Sequence, residues 1–80
     1  MVHREIEQRV AKVVCQVLEA DPDAVRPESH FVYDLGAEST QWVALVTALE
    51  HEFSIEMDED AALNLQTVGM VSDFIADKLS

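Results

Sequence analysis

Apolar residues in this chain recur at helical spacing over most of its length, so the sequence calls for helices. The first stripe, Ile6, Val10, Val13, Val14, Val17 and Leu18, has no glycine or proline within it and predicts a helix over residues 5–20. Asp21-Pro22-Asp23 ends it, because proline disfavours helical geometry in the residue ahead of it. A second stripe, Trp42, Leu45, Val46, Leu49 and Phe53, sits at i, i+3, i+4, i+7 and i+11 and predicts a helix starting near Ser39. Residues 59–65 are long enough for about two turns of a short third helix. Thr67 is a suitable N-cap for a last helix through Val68, Val71, Phe74, Ile75 and Leu79, with Lys78 placed to meet its negative C-terminal end.

Between the first two stripes, residues 22–37 hold both prolines, one of the two glycines and apolar residues such as Val25, Phe31 and Leu35 without regular period. This reads as a long ordered loop pinned to the core by those three, and loops of such length in compact domains are often functional. Eighty residues suffice for one domain, 1–80, and are too few for two, since a chain this short buries only about 60 to 65 percent of its unfolded surface. The expected fold is all-α: a small four-helix bundle with a long loop between helix one and helix two and a short third helix.

The formal charge is −11, and its distribution is uneven. Four of the five basic residues, Arg4, Arg9, Lys12 and Arg26, precede Pro27, whereas residues 27–77 carry eleven carboxylates and no lysine or arginine. Such a surface repels nucleic acid and anionic lipid and speeds encounter with basic protein patches. No apolar run approaches the ~18 residues of a membrane helix, and the N-terminus lacks an apolar signal core. A cytoplasmic, soluble monomer is expected, and the lone Cys15 fits a reducing compartment.

Catalytic and metal constellations are not evident. His3, His30, His51 and Cys15 lack zinc-ligand spacing. Glu56, Asp58 and Asp60 imitate the start of a calcium loop, but Ala61 stands where its glycine belongs and Thr67 where its bidentate glutamate belongs. Two glycines make no phosphate-cradling loop, and nothing in the spacing selects Ser39 and His51 as parts of a triad. The chain is not expected to be an enzyme.

The segment Phe31-Val32-Tyr33-Asp34-Leu35-Gly36-Ala37-Glu38-Ser39-Thr40 leads the long loop directly into the second helix. Here the sequence resembles the acyl carrier protein family, whose attachment site is usually Asp-Leu-Gly-(Ala or Gly)-Asp-Ser-Leu at this junction. The resemblance continues through Ala48-Leu49-Glu50-His51-Glu52-Phe53, Ile55-Glu56-Met57 and Leu65-Gln66-Thr67-Val68 to Phe74-Ile75. It implies a carrier of acyl intermediates in fatty-acid, polyketide or specialised lipid biosynthesis, held as thioesters on a 4'-phosphopantetheine arm attached to Ser39. It also implies partners: a phosphopantetheinyl transferase that takes the arm from coenzyme A, and acyl-transferring and acyl-modifying enzymes.

A hydroxyl at a helix start projects from the protein, and a phosphate on it lies beside free backbone N–H groups and the positive end of the helix dipole. Ser39 as an ordinary helix cap is the competing reading. Trp42, one turn on, either lines an acyl pocket or packs in the core with Leu45, Val46, Leu49 and Phe53; Phe31 and Phe74 are expected in the core. Glu38 replaces the usual aspartate, Thr40 the usual leucine, and Gln41 and Ala44 replace acidic residues on the face that basic partner residues usually read. Contacts through Glu38, Thr40, Val43, Ala44, Thr47 and Glu50 are therefore expected to be less electrostatic, with basic or mixed docking patches on the partners, as in a specialised carrier. The rival from another class is an unmodified acidic helical module that only binds a basic partner.

Overall fold

A computed structural model describes residues 2–79. Four helices follow in order: α1 (His3–Leu18), α2 (Ser39–Phe53), α3 (Glu59–Leu63) and α4 (Val68–Leu79), with a 3-10 turn at Pro22–Ala24. α1 packs against both α2 and α4. Its stripe of Ile6, Val10, Val13, Val14 and Leu18 meets Leu45, Leu49 and Phe53 of α2 and Val68, Val71 and Ile75 of α4 in one core, all at most 8% exposed. Among the described residues there is no strand, only an isolated antiparallel bridge between His30 and Thr67.

Helix ends differ from the sequence expectation for a physical reason. α1 stops at Leu18 rather than at Ala20, because Glu19 turns into the left-handed region (φ 53°) and the Ala20 N–H returns to the Cys15 carbonyl at 3.2 Å. Ser54 ends α2 in the same way, and Ile55 N–H reaches the Glu50 carbonyl at 3.1 Å. Glycine is the usual residue at such positions, so neither cap is legible from composition. α3 closes at Leu63, short of Leu65, as the N–H groups of Asn64 and Leu65 tighten onto Ala61 and Ala62 at 3.2 and 3.1 Å. Thr67 caps α4 as expected, accepting the Met70 N–H at 3.2 Å.

The long loop is bonded throughout. Ser29, 6% exposed, donates to the Ala24 carbonyl and accepts the Arg26 N–H, both at 2.9 Å. Val25 and Phe31 are buried and Leu35 is half-buried, as their isolated apolar positions suggested. Three bonds tie the loop to the entry of α4: Phe31 N–H to Gln66 O (3.0 Å), Val68 N–H to Ser29 O (3.1 Å) and Gly69 N–H to Pro27 O (2.8 Å). A Cβ at Gly69 would lie 2.9 Å from the Pro27 oxygen, so glycine is needed where helix and loop backbones meet. Phe74 differs from expectation: it is only half-buried, its ring carrying the Lys78 ammonium at 5.8 Å.

Two surface clasps join helices. Arg9 of α1 meets Glu52 of α2, Nε to Oε2 at 2.7 Å and Nη2 to the backbone O at 2.9 Å, with its guanidinium 4.8 Å from the centre of the Phe53 ring. His3 bridges Glu7 at 2.7 Å and Asp73 of α4 at 2.8 Å. The Asp73 bond, with help from Glu7, raises the imidazole above its ordinary pKa. Burial pushes the Cys15 thiol up, and the Asp21 charge adds to it.

Candidate functional site at the start of the second helix

Residues 30–37 form a self-bonded turn that aims the chain into α2. The His30 carbonyl accepts the N–H groups of Asp34 and Leu35, and Asp34 returns a carboxylate oxygen to the His30 N–H at 2.7 Å. His30 Nδ1 in turn accepts the N–H groups of Val32 and Tyr33 at 3.1 and 3.2 Å. Gly36 then takes the left-handed conformation (φ 66°), where a side chain would be strained, and Ala37 N–H closes onto the Phe31 carbonyl at 2.8 Å. This geometry gives Asp34 and Gly36 backbone duties in delivering Ser39 to its place.

Ser39 is the first residue of α2 and is exposed. It does not cap the helix. Glu38 holds the N-cap position in a capping box with Gln41, whose side-chain oxygen accepts the Glu38 N–H at 2.9 Å. The Ser39 hydroxyl has no hydrogen-bond partner among the described residues. The N–H groups of Ser39 and Thr40 lie in the first turn, ahead of the intrahelical ladder, at the positive end of the dipole. A phosphate ester therefore fits this position both sterically and electrostatically.

Beside Ser39 opens a cleft of about 1100 Å³. α2 forms one wall with Trp42, Val43, Val46 and Thr47, the loop another with Phe31, Val32 and Tyr33, and Met57, Ala62, Leu63 and Leu65 around α3 the third. Trp42 is half-buried and its ring packs on Phe31 with centroids 5.1 Å apart. The five residues expected in a pocket or in the core thus divide: Trp42 and Val46 line the cleft, whereas Leu45, Leu49 and Phe53 are buried in the core. A mostly apolar cleft of this size beside a free hydroxyl can shelter an alkyl chain, each buried CH₂ being worth about 0.8 kcal/mol.

Glu38, Thr40, Val43, Ala44 and Thr47 are all exposed on or beside α2. Val43 and Thr47 serve the cleft wall as well, and Thr47 Oγ1 donates to the Val43 carbonyl at 3.0 Å. Glu50 stands apart from this set: it is half-buried and its carboxylate accepts the Met57 N–H at 3.0 Å. Sequence reasoning missed the loop and α3 residues of the cleft, Val32, Tyr33 and Leu63, which are 56, 86 and 68% exposed. The available signal was that Val32, Tyr33 and Leu63 fall outside the regular helical stripes.

Among the described residues no cluster of histidine, cysteine or carboxylate side chains is arranged to hold a metal ion, and no helix is long and apolar enough to cross a membrane. In the imitation calcium loop, Asp58 instead caps α3 by accepting the Asp60 N–H at 3.2 Å.

Residues 8–75 match the family model described as the phosphopantetheine attachment site. The chain is 47% identical over 74 residues to the acyl carrier protein of Caulobacter vibrioides strain NA1000 / CB15N, covering 92% of this chain and 95% of the relative. It is 45% identical over 75 residues to the acyl carrier protein of Phenylobacterium zucineum, covering 94% and 95%. With the helical order, the free serine at the start of α2 and the adjoining apolar cleft, these likenesses place the chain in the phosphopantetheine-binding acyl carrier protein family.

Proposed function

We propose that Ser39 is the residue that receives the 4'-phosphopantetheine of this carrier, the single observation carrying the assignment being its exposed, unbonded hydroxyl at the first position of α2. The family is one of carriers rather than enzymes, and phosphopantetheine is its prosthetic group, whose terminal thiol supplies the point of acyl attachment. The Ser39 oxygen forms a new P–O bond with the phosphopantetheine phosphate of coenzyme A. The pyrophosphate P–O bond breaks, adenosine 3',5'-bisphosphate departs, and the serine proton goes to a base of the transferase. Residues 1–80 act as one domain, a cytoplasmic monomer, in this reading.

The carrier delivers and its partners react. Tethering raises the local concentration of the acyl group at each partner active site. Partners read Glu38, Thr40, Val43, Ala44 and Thr47, a surface with one carboxylate among small and apolar side chains. Gln41 is held in the capping box and Ala44 carries no charge, so this face favours mixed docking patches and a dedicated pathway over general fatty-acid synthesis.

The deciding experiment incubates the protein with coenzyme A, magnesium and a broad-specificity phosphopantetheinyl transferase, followed by intact mass measurement. A gain of one phosphopantetheine in wild type and none in Ser39→Ala is expected. No gain in wild type with two different transferases, or an equal gain in Ser39→Ala, overturns the assignment.

A further inference from the structure

His30 lies in the loop wall of the cleft, and its side chain is fixed in an informative way. Nδ1 accepts two backbone N–H groups, from Val32 at 3.1 Å and Tyr33 at 3.2 Å. An atom that accepts two donors carries no proton, so the neutral ring has its proton on Nε2. The ring is further held by tilted packing on Tyr33, with centroids 4.4 Å apart. Nε2–H has no hydrogen-bond acceptor among the described residues. His30, with that proton unspent, is thus one of the residues lining a cleft whose walls are otherwise mainly apolar.

We infer that His30 Nε2–H is a hydrogen-bond donor subsite for a carbonyl oxygen of the group lodged in the cleft. The inference rests on the reading that the arm and its cargo are attached at Ser39 and enter this cleft. Preorganisation is the physical basis: the two backbone bonds and the Tyr33 ring hold the imidazole before any guest arrives, so little side-chain entropy is lost on binding. Such a donor bordering an apolar wall discriminates more sharply than one in open water, because leaving it unpaired once a guest excludes solvent is costly. Two sources offer the same oxygen chemistry, the amide carbonyls of the arm or a carbonyl of its cargo, either the thioester itself or a keto group further along the acyl chain.

The test labels the imidazole nitrogens with ¹⁵N and compares four forms by NMR: unmodified protein, arm alone, arm with hexanoyl, and arm with 3-oxohexanoyl. Loading of each is first confirmed by intact mass. A shift of the His30 Nε2 resonance on adding the arm alone assigns the acceptor to an amide of the arm, a shift first seen with hexanoyl assigns it to the thioester carbonyl, and a shift only with 3-oxohexanoyl assigns it to the keto group of the chain. Thioester lifetimes provide a functional readout: oxygen recognition on the chain predicts 3-oxohexanoyl loss at least threefold faster in His30→Ser, with hexanoyl loss unchanged. Serine keeps a short acceptor for the Val32 and Tyr33 amides but does not reach the cleft, and His30→Asn, which restores both acceptor and donor, should recover part of the protection.

If all loaded forms leave the Nε2 resonance where the unmodified protein has it, the subsite is refuted while Ser39 attachment stands. If no form loads at Ser39, both fall together. Equal circular dichroism and urea midpoints of the two His30 variants exclude unfolding as the source of any lifetime change.

Discussion

Glu50 offers a sharp test because its sequence position marks it as a partner-facing acid while its bond to Met57 gives it a structural duty. Its carboxylate accepts the Met57 N–H at 3.0 Å, fastening the segment after α2 to α2 itself, and Met57 is 7% exposed and forms part of the cleft wall. A hydrogen bond to a charged group contributes about 1.5–3 kcal/mol when buried, and half-exposure of Glu50 takes the low end, about 1.5–2 kcal/mol. Against this, a carboxylate in the last turns of a helix is disfavoured by the dipole by about 0.3–0.5 kcal/mol, which alanine relieves. Glu50→Ala should therefore lose about 1–1.5 kcal/mol. For a domain of this size that is a fall of about 1–1.5 M in the urea midpoint and of roughly 6–9 °C in Tm. Glu50→Gln retains an acceptor oxygen and should lose less than half as much. Urea unfolding followed by circular dichroism gives the stability, and hydrogen exchange at the Met57 amide gives the bond. If Glu50→Ala unfolds within 0.2 M of wild type (about 0.2 kcal/mol) and exchange at Met57 is unchanged, the fastening argument is wrong and Glu50 is free to serve partners.

Gly69→Ala should destabilise the protein by about 1 kcal/mol or more, because overpacking against the Pro27 oxygen at 2.9 Å exceeds the roughly 1 kcal/mol gained in helix propensity. A urea midpoint above wild type would refute the close-approach argument. The His3 clasp predicts a pH dependence: its folded-state pKa is raised, first by the Asp73 bond, so its contribution is fully present below about pH 6.5 and is lost as pH rises through the folded value. The urea midpoint of wild type relative to His3→Gln should thus be more favourable at pH 6 than at pH 8.5. A difference independent of pH would show that the clasp does not act through charge.

Helical periodicity determined the architecture because it is a local property: side chains 3 and 4 residues apart share a face whatever packs against them. Hence the stripes of α1, α2 and α4 were legible, as were Thr67 at its cap, the loop anchors Val25 and Phe31, and Ser39 at the head of α2. The sequence likewise carried the family, since the Asp34-Leu35-Gly36 turn and Ser39 are adjacent in the chain.

Tertiary structure decided what distant segments do together. Which residues of the second stripe are closed into the core depends on where the loop and α3 stand against α2: Leu45, Leu49 and Phe53 are buried, whereas Trp42 and Val46 pack against the core and also reach the cleft. Glu38 rather than Ser39 caps α2 because Gln41 completes the box, leaving the serine hydroxyl free. Glu50 was drawn from the surface by a backbone N–H seven residues away. His30, unremarkable as one of three scattered histidines, became a fixed donor once two amides of its own turn converged on one ring nitrogen. Periodicity sets which face a residue occupies, but which groups converge across that face is settled only when segments far apart in sequence close around a common core and must satisfy one another's polar atoms.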